Sequence, residues 1–231
     1  MMLKTEKENI WFLGRSYYEY MKMFSLNIEK LEGLRILDCA AGASSFTPYL
    51  LKKGFDITAV DLLYGQTVEE IRERCVNDFH TLLEMHSGLD HRVDWDFFSD
   101  PEDMVQQRIT VYEEFIDSYA SEKDRRYLEA VLPKLPFDDD HFDLILSSHL
   151  LFLYEGRLDY DFHRDSIEEM LRVTSGEIRI YPIIKLHGES YESVFLPRLI
   201  NELSDKADFE VVKVDYQFRR GGNQMLKIKK R

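Results

Sequence analysis

The chain has 231 residues, 44% of them hydrophobic, which suits one α/β domain with insertions, or one domain plus a small cap. Its formal net charge of −13 would repel DNA or RNA, and the basic cluster Lys227, Lys229, Lys230 and Arg231 reads as a solvated strand edge and tail, so no nucleic-acid partner is expected. Cys39 and Cys75 lack metal-ligand spacing, no run approaches 18 apolar residues, and "MMLKTEKENIWF" lacks the apolar centre of a secretion signal; the expectation is a cytoplasmic protein with no metal and no membrane span.

Residues 1–31 read as an N-terminal helical arm. "LRILDCA" (34–40) is a buried strand. "SSFTPYLLKKG" (44–54) is a helix with Ser44 or Ser45 as cap, Pro48 in its first turn and Gly54 at its end. "FDITAVD" (55–61) is the second strand, and residues 67–86 carry apolar side chains at helical spacing. The segment of about 87–134 interrupts the alternation and reads as a helical insertion that covers something. Within it, 100–120 is a helix capped by Asp100 with Pro101 at its first position, and 121–132 is a further helix or turn before Pro133 and Pro136.

Alternation then resumes. "FDLILSSHLLFLY" (142–154) starts as a strand, 160–173 is helical, 176–184 is a strand, and 191–205 is helical despite Pro197. Residues 209–218 and 224–230, joined through Gly221 and Gly222, predict an antiparallel hairpin. Such alternation favours an α/β fold with a mainly parallel sheet and helices on both faces, with ligands at the carboxyl ends of the strands.

The first carboxyl end is Asp38-Cys39-Ala40-Ala41-Gly42-Ala43-Ser44. Small residues either pack tightly or let a ligand approach bare backbone. The second is Asp61, where an acid can accept both ribose hydroxyls of an adenosine. GxGxxG is absent, since Gly42 is the one glycine of the loop. A carboxylate at Asp38 would repel a pyrophosphate and suit a cationic sulfonium ligand.

With these residues, "ILDCAAGASSF" (36–46) resembles the first motif of class I S-adenosylmethionine-dependent methyltransferases. "AVD" (59–61) is similar to their acidic post-motif, and "LPFDDDHFDLILSSHLLFL" (135–153) to the block around their fourth strand. The resemblance spans about residues 34–231. "GRSYYEYMKMFSL" (14–26), "SHLLFLY" (148–154) and "FRRGGNQML" (218–226) look more narrowly like a bacterial subgroup of uncharacterised proteins.

The resemblance implies a Rossmann-like, doubly wound, seven-stranded, mainly parallel sheet with a C-terminal antiparallel hairpin and a helical insertion or lid. It implies a methyltransferase domain over 32–231, with the 1–31 arm covering the cofactor site. Asp38, Ala40, Ala41 and Gly42 would line the methionine part of S-adenosylmethionine. Asp61, with Leu62 beside it, would hold the ribose, and Ser147 joins the cofactor set. Ala40 and Ser44 stand where the family has glycines, and Val131 and Leu132 stand where it often has an acid near the adenine. That leaves apolar side chains from the insertion to meet the base.

Arg15 is a candidate partner for the methionine carboxylate, and Tyr17 or Tyr18 for a cover over the cofactor; the alternative is an amphipathic helix with an aromatic stripe. His149 is the candidate general base, against a histidine that only shapes the pocket. His163 is a weaker candidate, and Tyr154 would wall the acceptor site. "RRGGN" (219–223) reads as a turn, with Arg219, Arg220 and Asn223 as possible contacts to an anionic acceptor. The expected activity is methyl transfer to a small-molecule acceptor. The alternatives are a cofactor-binding regulatory module without turnover, and a nucleotide-dependent oxidoreductase, which the missing GxGxxG disfavours.

Overall fold

A computed structural model describes residues 10–86, 94, 96–185 and 192–231. In chain order its elements are α1 (Tyr17–Met23), a 3-10 turn (Ile28–Leu31), β1 (Arg35–Cys39), α2 (Phe46–Lys52), β2 (Asp56–Asp61), α3 (Val68–His86) and α4 (Pro101–Glu122). They continue with β3 (Tyr127–Glu129), β4 (Phe142–Ser148), α5 (Tyr160–Val173), β5 (Thr174–Tyr181), α6 (Leu196–Glu202), β6 (Ala207–Lys213) and β7 (Gln224–Lys230).

The strands form one sheet in the order β3-β2-β1-β4-β5-β7-β6. All pairs are parallel except those of β7, which runs antiparallel to β5 and β6. The seven-stranded architecture with its terminal hairpin is the one the resemblance implies. The order reverses between β1 and β4, so the connections leaving these two strands diverge and open a crevice at their carboxyl ends.

β1 and β4 are buried on both faces, which is why they read as unbroken apolar runs. Leu37, Ile145, Ile167, Met170, Ile178 and Leu226 fill the layer under α5 and α6. Ile36, Phe46, Leu50, Leu144 and Leu146 fill the opposite layer, under α1 and α2. A third cluster joins Phe12 and Ala59 to Ile71 of α3 and to Phe115 and Tyr119 of α4.

Helix starts follow their capping residues. Asp100 Oδ1 accepts from Asp103 N at 2.8 Å, with Pro101 opening α4 as its sequence predicts. Asp159 Oδ1 accepts from Phe162 N at 2.8 Å. Ser16 and Glu19 form a reciprocal capping box on α1. Pro197 falls in the first turn of α6 and does not break it.

Two expectations need correction. The segment 121–132, expected as a further helix or turn, is a turn over 124–126 followed by a strand: it contributes β3, which pairs with β2 through Ala59↔Tyr127. Three residues are too few to show alternation, and the strand is fixed by tertiary contacts of the Tyr127 ring with Tyr64, Phe115 and Tyr119. Part of the supposed insertion is therefore the edge of the sheet. The arm is helical only over Tyr17–Met23 and the 28–31 turn; residues 10–16 form a non-helical strap, and residues 1–9 lie outside the described residues. No helix among the described residues is long and apolar enough to cross a membrane.

Candidate functional site

The carboxyl ends of β1, β2, β4 and β5 surround one cavity. After β1 the chain turns through two residues in the left-handed region, Ala40 (φ +57°) and Gly42 (φ +59°). At Ala40 this conformation costs about 1–2 kcal/mol. At Gly42 an added Cβ would also stand 3.4 Å from Leu13 O of the strap. The bare edge of this loop, Ala40 to Gly42, lines the cavity.

Asp61 is half-buried on the same wall. Its Oδ2 accepts from Gly42 N at 3.1 Å and its Oδ1 from Leu63 N at 3.0 Å. Each oxygen keeps a further lone pair. Burial raises the pKa of this carboxyl, while the two N–H donors hold it down. Leu62, beside it, is exposed at the cavity edge.

Asp38 departs from expectation. It is fully buried behind the loop and does not line the cavity. Tyr20 Oη donates to its Oδ1 at 3.1 Å and Thr47 Oγ1 to its Oδ2 at 3.2 Å. Burial pushes its pKa up to about 7 against those two bonds. The carboxylate that faces the cavity is Asp61, and Asp38 supports the loop from within. A different observation bears on pyrophosphate binding. Ser45 N donates to Arg15 O and Phe46 N to Ser44 Oγ, each at 3.0 Å. Two of the donors at the start of α2 are thus already engaged, and Pro48 has none to offer.

Arg15 lines the cavity and is 9% exposed. Its Nη1 donates to Gly14 O at 3.0 Å, while its buried Nε has no hydrogen-bond partner and lies 3.9 Å from Glu19 Oε1. Glu19 is itself held by Arg108, through Nη1–Oε2 at 2.5 Å and Nη2–Oε1 at 2.7 Å, and by Tyr216 Oη.

Tyr18 is 61% exposed and does not line the cavity. Its ring lies 4.1 Å from that of Tyr17, which stacks on Tyr49 at 3.9 Å. Two helical residues subtend about 200°, so with Tyr20 turned to the sheet Tyr18 must face outward. Tyr20 is the tyrosine of the stripe that reaches the site. Ser147 also departs from expectation: it is fully buried with an unpartnered Oγ and is not part of the lining. Successive side chains of β4 point to opposite faces, and Ser148 is the one that opens on the cavity.

Ser148 Oγ lies 2.7 Å from His149 Nδ1. His149 has φ +56°, is fixed by its N–H to Tyr181 O at 2.7 Å, and lines the cavity. Burial, then the charges of Arg15, Arg108 and Arg219, hold its pKa well below the ordinary histidine value, so the imidazole is neutral at pH 7. Tyr154 walls the same end.

His163 is a structural group. Its Nε2 accepts from Phe152 N at 2.9 Å, which leaves Nδ1 to donate to Asp159 O at 2.7 Å. It pins the 149–158 turn, whose Leu150, Leu153 and Tyr154 face the cavity. Burial holds its pKa below 6.5 against the Asp159 bond. The unfolded chain therefore takes up this proton first, and the contribution of His163 declines as pH falls below about 6.5. The stability of the wild type relative to His163→Gln, from urea unfolding, is expected to drop between pH 7.5 and pH 5.5. A difference that stays constant over that range contradicts the assignment.

The 1–31 arm is expected over the site as a helix, and residues 10–13 of it are not among the candidate residues. Ile10, Trp11, Phe12 and Leu13 line the cavity. Arg74 Nη2 holds Ile10 O at 3.0 Å, Asp78 Oδ2 accepts from Phe12 N at 2.6 Å, and the two side chains pair at 2.7 Å. The signal was the Arg74/Asp78 pair at i,i+4 together with the apolar "IWFL" before the α1 cap. Gly14 is where the strap crosses the loop: a Cβ there would meet Val111 Cγ1 at 2.7 Å and Ala43 O at 2.8 Å. The hairpin connection is a turn, closed by Gly222 N to Arg219 O at 2.8 Å, but it is also a wall, because Arg219 and Gly222 line the cavity. Ala130, Val131 and Leu132, after β3, supply an apolar wall beside Asp61. Among the described residues no cluster of His, Cys, Asp and Glu is placed to hold a metal.

No protein-family model matches the chain. Over 219 residues it is 40% identical to the uncharacterised protein MJ0045 of Methanocaldococcus jannaschii, covering 94% of this chain and 95% of that one. The chain belongs to the MJ0045 family. This relative is archaeal, whereas the resemblance pointed to a bacterial subgroup. Solved structures similar to it include magnesium protoporphyrin IX methyltransferase from Synechocystis PCC 6803 with bound S-adenosylmethionine (10% identity, 88% of this chain and 73% of that one, TM-score 0.48). Another is a SAM-dependent methyltransferase from Aquifex aeolicus (16% identity, 98% and 96%, TM-score 0.44).

With its strand order and antiparallel β7, this MJ0045-family chain has the Rossmann-like fold of class I methyltransferases. Its cavity has two halves. One, at β1 and β2, carries the Ala40–Gly42 loop, Asp61 and the apolar Ala130–Leu132 wall. The other, at β4 and β5, carries Ser148, His149, Tyr154, Tyr181 and Arg219. Arg15 lines the cavity as well.

Proposed function

We propose that this protein is an S-adenosylmethionine-dependent methyltransferase acting on a small-molecule acceptor. The observation that carries the reading is Asp61: a carboxylate fixed by Gly42 N and Leu63 N, with lone pairs to spare, on the wall of a cavity that Arg15 also lines, its buried Nε making no hydrogen bond. Asp61 would accept the two ribose hydroxyls. Arg15 would pair with the methionine carboxylate, completing its orphaned Nε. The Ala130–Leu132 wall would meet the adenine.

S-adenosylmethionine supplies an electrophilic methyl: the acceptor's lone pair bonds the methyl carbon, the carbon–sulfur pair stays on sulfur, and the acceptor loses its proton. The protein's part is to align and dry the site. The strap would cover the cofactor half, and the aromatic and aliphatic walls exclude water. His149, neutral at pH 7 and anchored by Ser148, would take the acceptor's proton. The missing GxGxxG and the engaged Ser45 and Phe46 N–H groups argue against a dinucleotide, and the net charge of −13 against a nucleic-acid acceptor.

Trp11 reports on the cavity directly. The sequence has two tryptophans, so in a Trp95→Phe variant Trp11 is the sole tryptophan and can be excited selectively over the tyrosines. Its fluorescence is expected to change saturably with added S-adenosylhomocysteine and not with NADH. A saturable response to NADH alone would contradict the proposal.

A further inference from the structure

Asp38 is a buried carboxyl with no part in the proposed chemistry, yet a line of hydrogen bonds runs from it to the cavity. Tyr20 Oη donates to its Oδ1 at 3.1 Å. The Ser148 and Ser44 hydroxyls hydrogen-bond the Tyr20 side chain. Ser148 Oγ lies 2.7 Å from His149 Nδ1, and His149 lines the cavity. Asp38 and Tyr20 are fully buried and Ser148 nearly so. The Tyr20 ring is locked in place, stacked on Phe46 at 4.7 Å and edge-on to Phe24 at 5.4 Å.

Counting protons gives the line a direction. An ionised carboxylate only accepts, so Tyr20 spends its one proton on Asp38. Burial, then the charge of Asp38, keeps that proton on Tyr20 against the bonds from Ser44 and Ser148. The Tyr20 oxygen is left to accept, and Ser148 donates to it. Were Ser148 to donate to His149 instead, the Tyr20 and Ser148 oxygens would face each other with lone pairs alone. With its proton turned to Tyr20, Ser148 has only lone pairs for His149, and Nδ1 must carry the imidazole proton. A second acceptor for the Ser148 proton, Met23 Sδ at 3.9 Å, would leave Nδ1 the donor just the same.

We propose that Asp38 is a positioning residue: through Tyr20 and Ser148 it fixes His149 as the Nδ1–H tautomer, so that Nε2 presents its lone pair to the cavity as the base. The word base rests on the methyltransferase reading, whereas the tautomer stands on the hydrogen bonds alone. In that reading the acceptor's lone pair takes the methyl, its proton passes to Nε2, and the resulting imidazolium keeps its Nδ1–H on Ser148. Asp38, Tyr20 and Ser148 exchange no proton with the acceptor.

The tautomer is read from the ring-nitrogen NMR shifts of protein carrying isotope-labelled histidine, at about pH 8.5, above the Asp38 value of about 7. His149 is neutral there, and among the 7 histidines its signals are those lost in His149→Gln. The Nδ1–H form is expected in about tenfold excess, the factor that one hydrogen bond supports. Ser148→Ala removes the acceptor of the Nδ1 proton. Tyr20→Phe and Asp38→Leu each free the Ser148 proton to turn to Nδ1. All three are expected to shift the ratio at least about fivefold toward Nε2–H. Dispersed amide spectra show which variants are folded, and Tyr20→Phe, which keeps the ring, cuts the line even where Asp38→Leu does not fold. A wild type that is mainly Nε2–H, or any folded variant of the three with the wild-type ratio, overturns the proposal. The Nδ1–H tautomer in a protein that does not bind S-adenosylhomocysteine would keep this inference and remove the methyltransferase reading. An Nε2–H imidazole in a protein that binds it would do the reverse.

Discussion

Replacing Arg108 by Met is expected to lower the free energy of unfolding at pH 7 by about 3–5 kcal/mol. Arg108 and Glu19 are 1% and 0% exposed. Their two hydrogen bonds, with Tyr216 Oη on Glu19 and the Arg108 guanidinium 5.2 Å from the Phe98 ring, tie α1 to α4 and to the β6–β7 connection. Burial alone would raise the pKa of Glu19, but the charge and hydrogen bonds of Arg108 outweigh it and bring the value down to about 2. Without Arg108 the buried carboxylate loses its two strongest bonds and keeps Tyr216 Oη, Ser16 N and the Arg15 guanidinium 3.9 Å away.

The pH dependence follows from the same shift. In the wild type Glu19 is more acidic folded than unfolded, so its contribution is complete above about pH 4.5 and is lost as pH falls toward 2. In Arg108→Met the folded pKa rises above the unfolded one, so acid relieves the defect. Urea unfolding should therefore show wild type and variant converging as pH is lowered. A joint Glu19→Met/Arg108→Met variant should recover part of the loss, since it removes the carboxylate that Arg108→Met strands, while Arg15 and Tyr216 lose their contacts with Glu19. A loss below about 1 kcal/mol at pH 7 would mean that this pair does not hold the arm.

Asp61→Ala should weaken S-adenosylmethionine binding by about a hundredfold or more in isothermal titration. Two hydroxyl bonds to a charged acceptor are at stake, each worth about 1.5–3 kcal/mol. The substitution also releases Gly42 N and Leu63 N, which Asp61 now orders. Because burial raises the pKa of this carboxyl, affinity in the wild type should begin to fall at a pH above the usual carboxylate range, as Asp61 protonates and one oxygen stops accepting. Affinity within threefold of the wild type in Asp61→Ala would remove the ribose assignment.

Much of this site is legible in the sequence because it sits where strands end. The strand ending at Asp61 and the small-residue turn at Ala40–Gly42 are local features, and both line the cavity. Asp38 and Ser147 lie outside the cavity lining for a different reason. Proximity to a strand end does not say which face a side chain takes, and one residue decides it: Asp38 turns in to Tyr20 and Thr47, and Ser148, not Ser147, turns out. Tyr18 failed on helical phase, with Tyr20 in its place. β3 and the 10–13 strap were hidden because contacts remote in sequence fix them, Tyr127 against Tyr64 and Asp78 against Phe12 N. Arg219 shows that a residue can close a turn and line a site at once.

The cofactor assignment predicts positions as well as affinity. A crystal structure of the protein grown with S-adenosylhomocysteine should place the ribose hydroxyls on Asp61, the amino-acid carboxylate on Arg15 and the sulfur toward His149. A ligand bound away from Asp61, or a cavity that stays empty at saturating S-adenosylhomocysteine, would contradict the account.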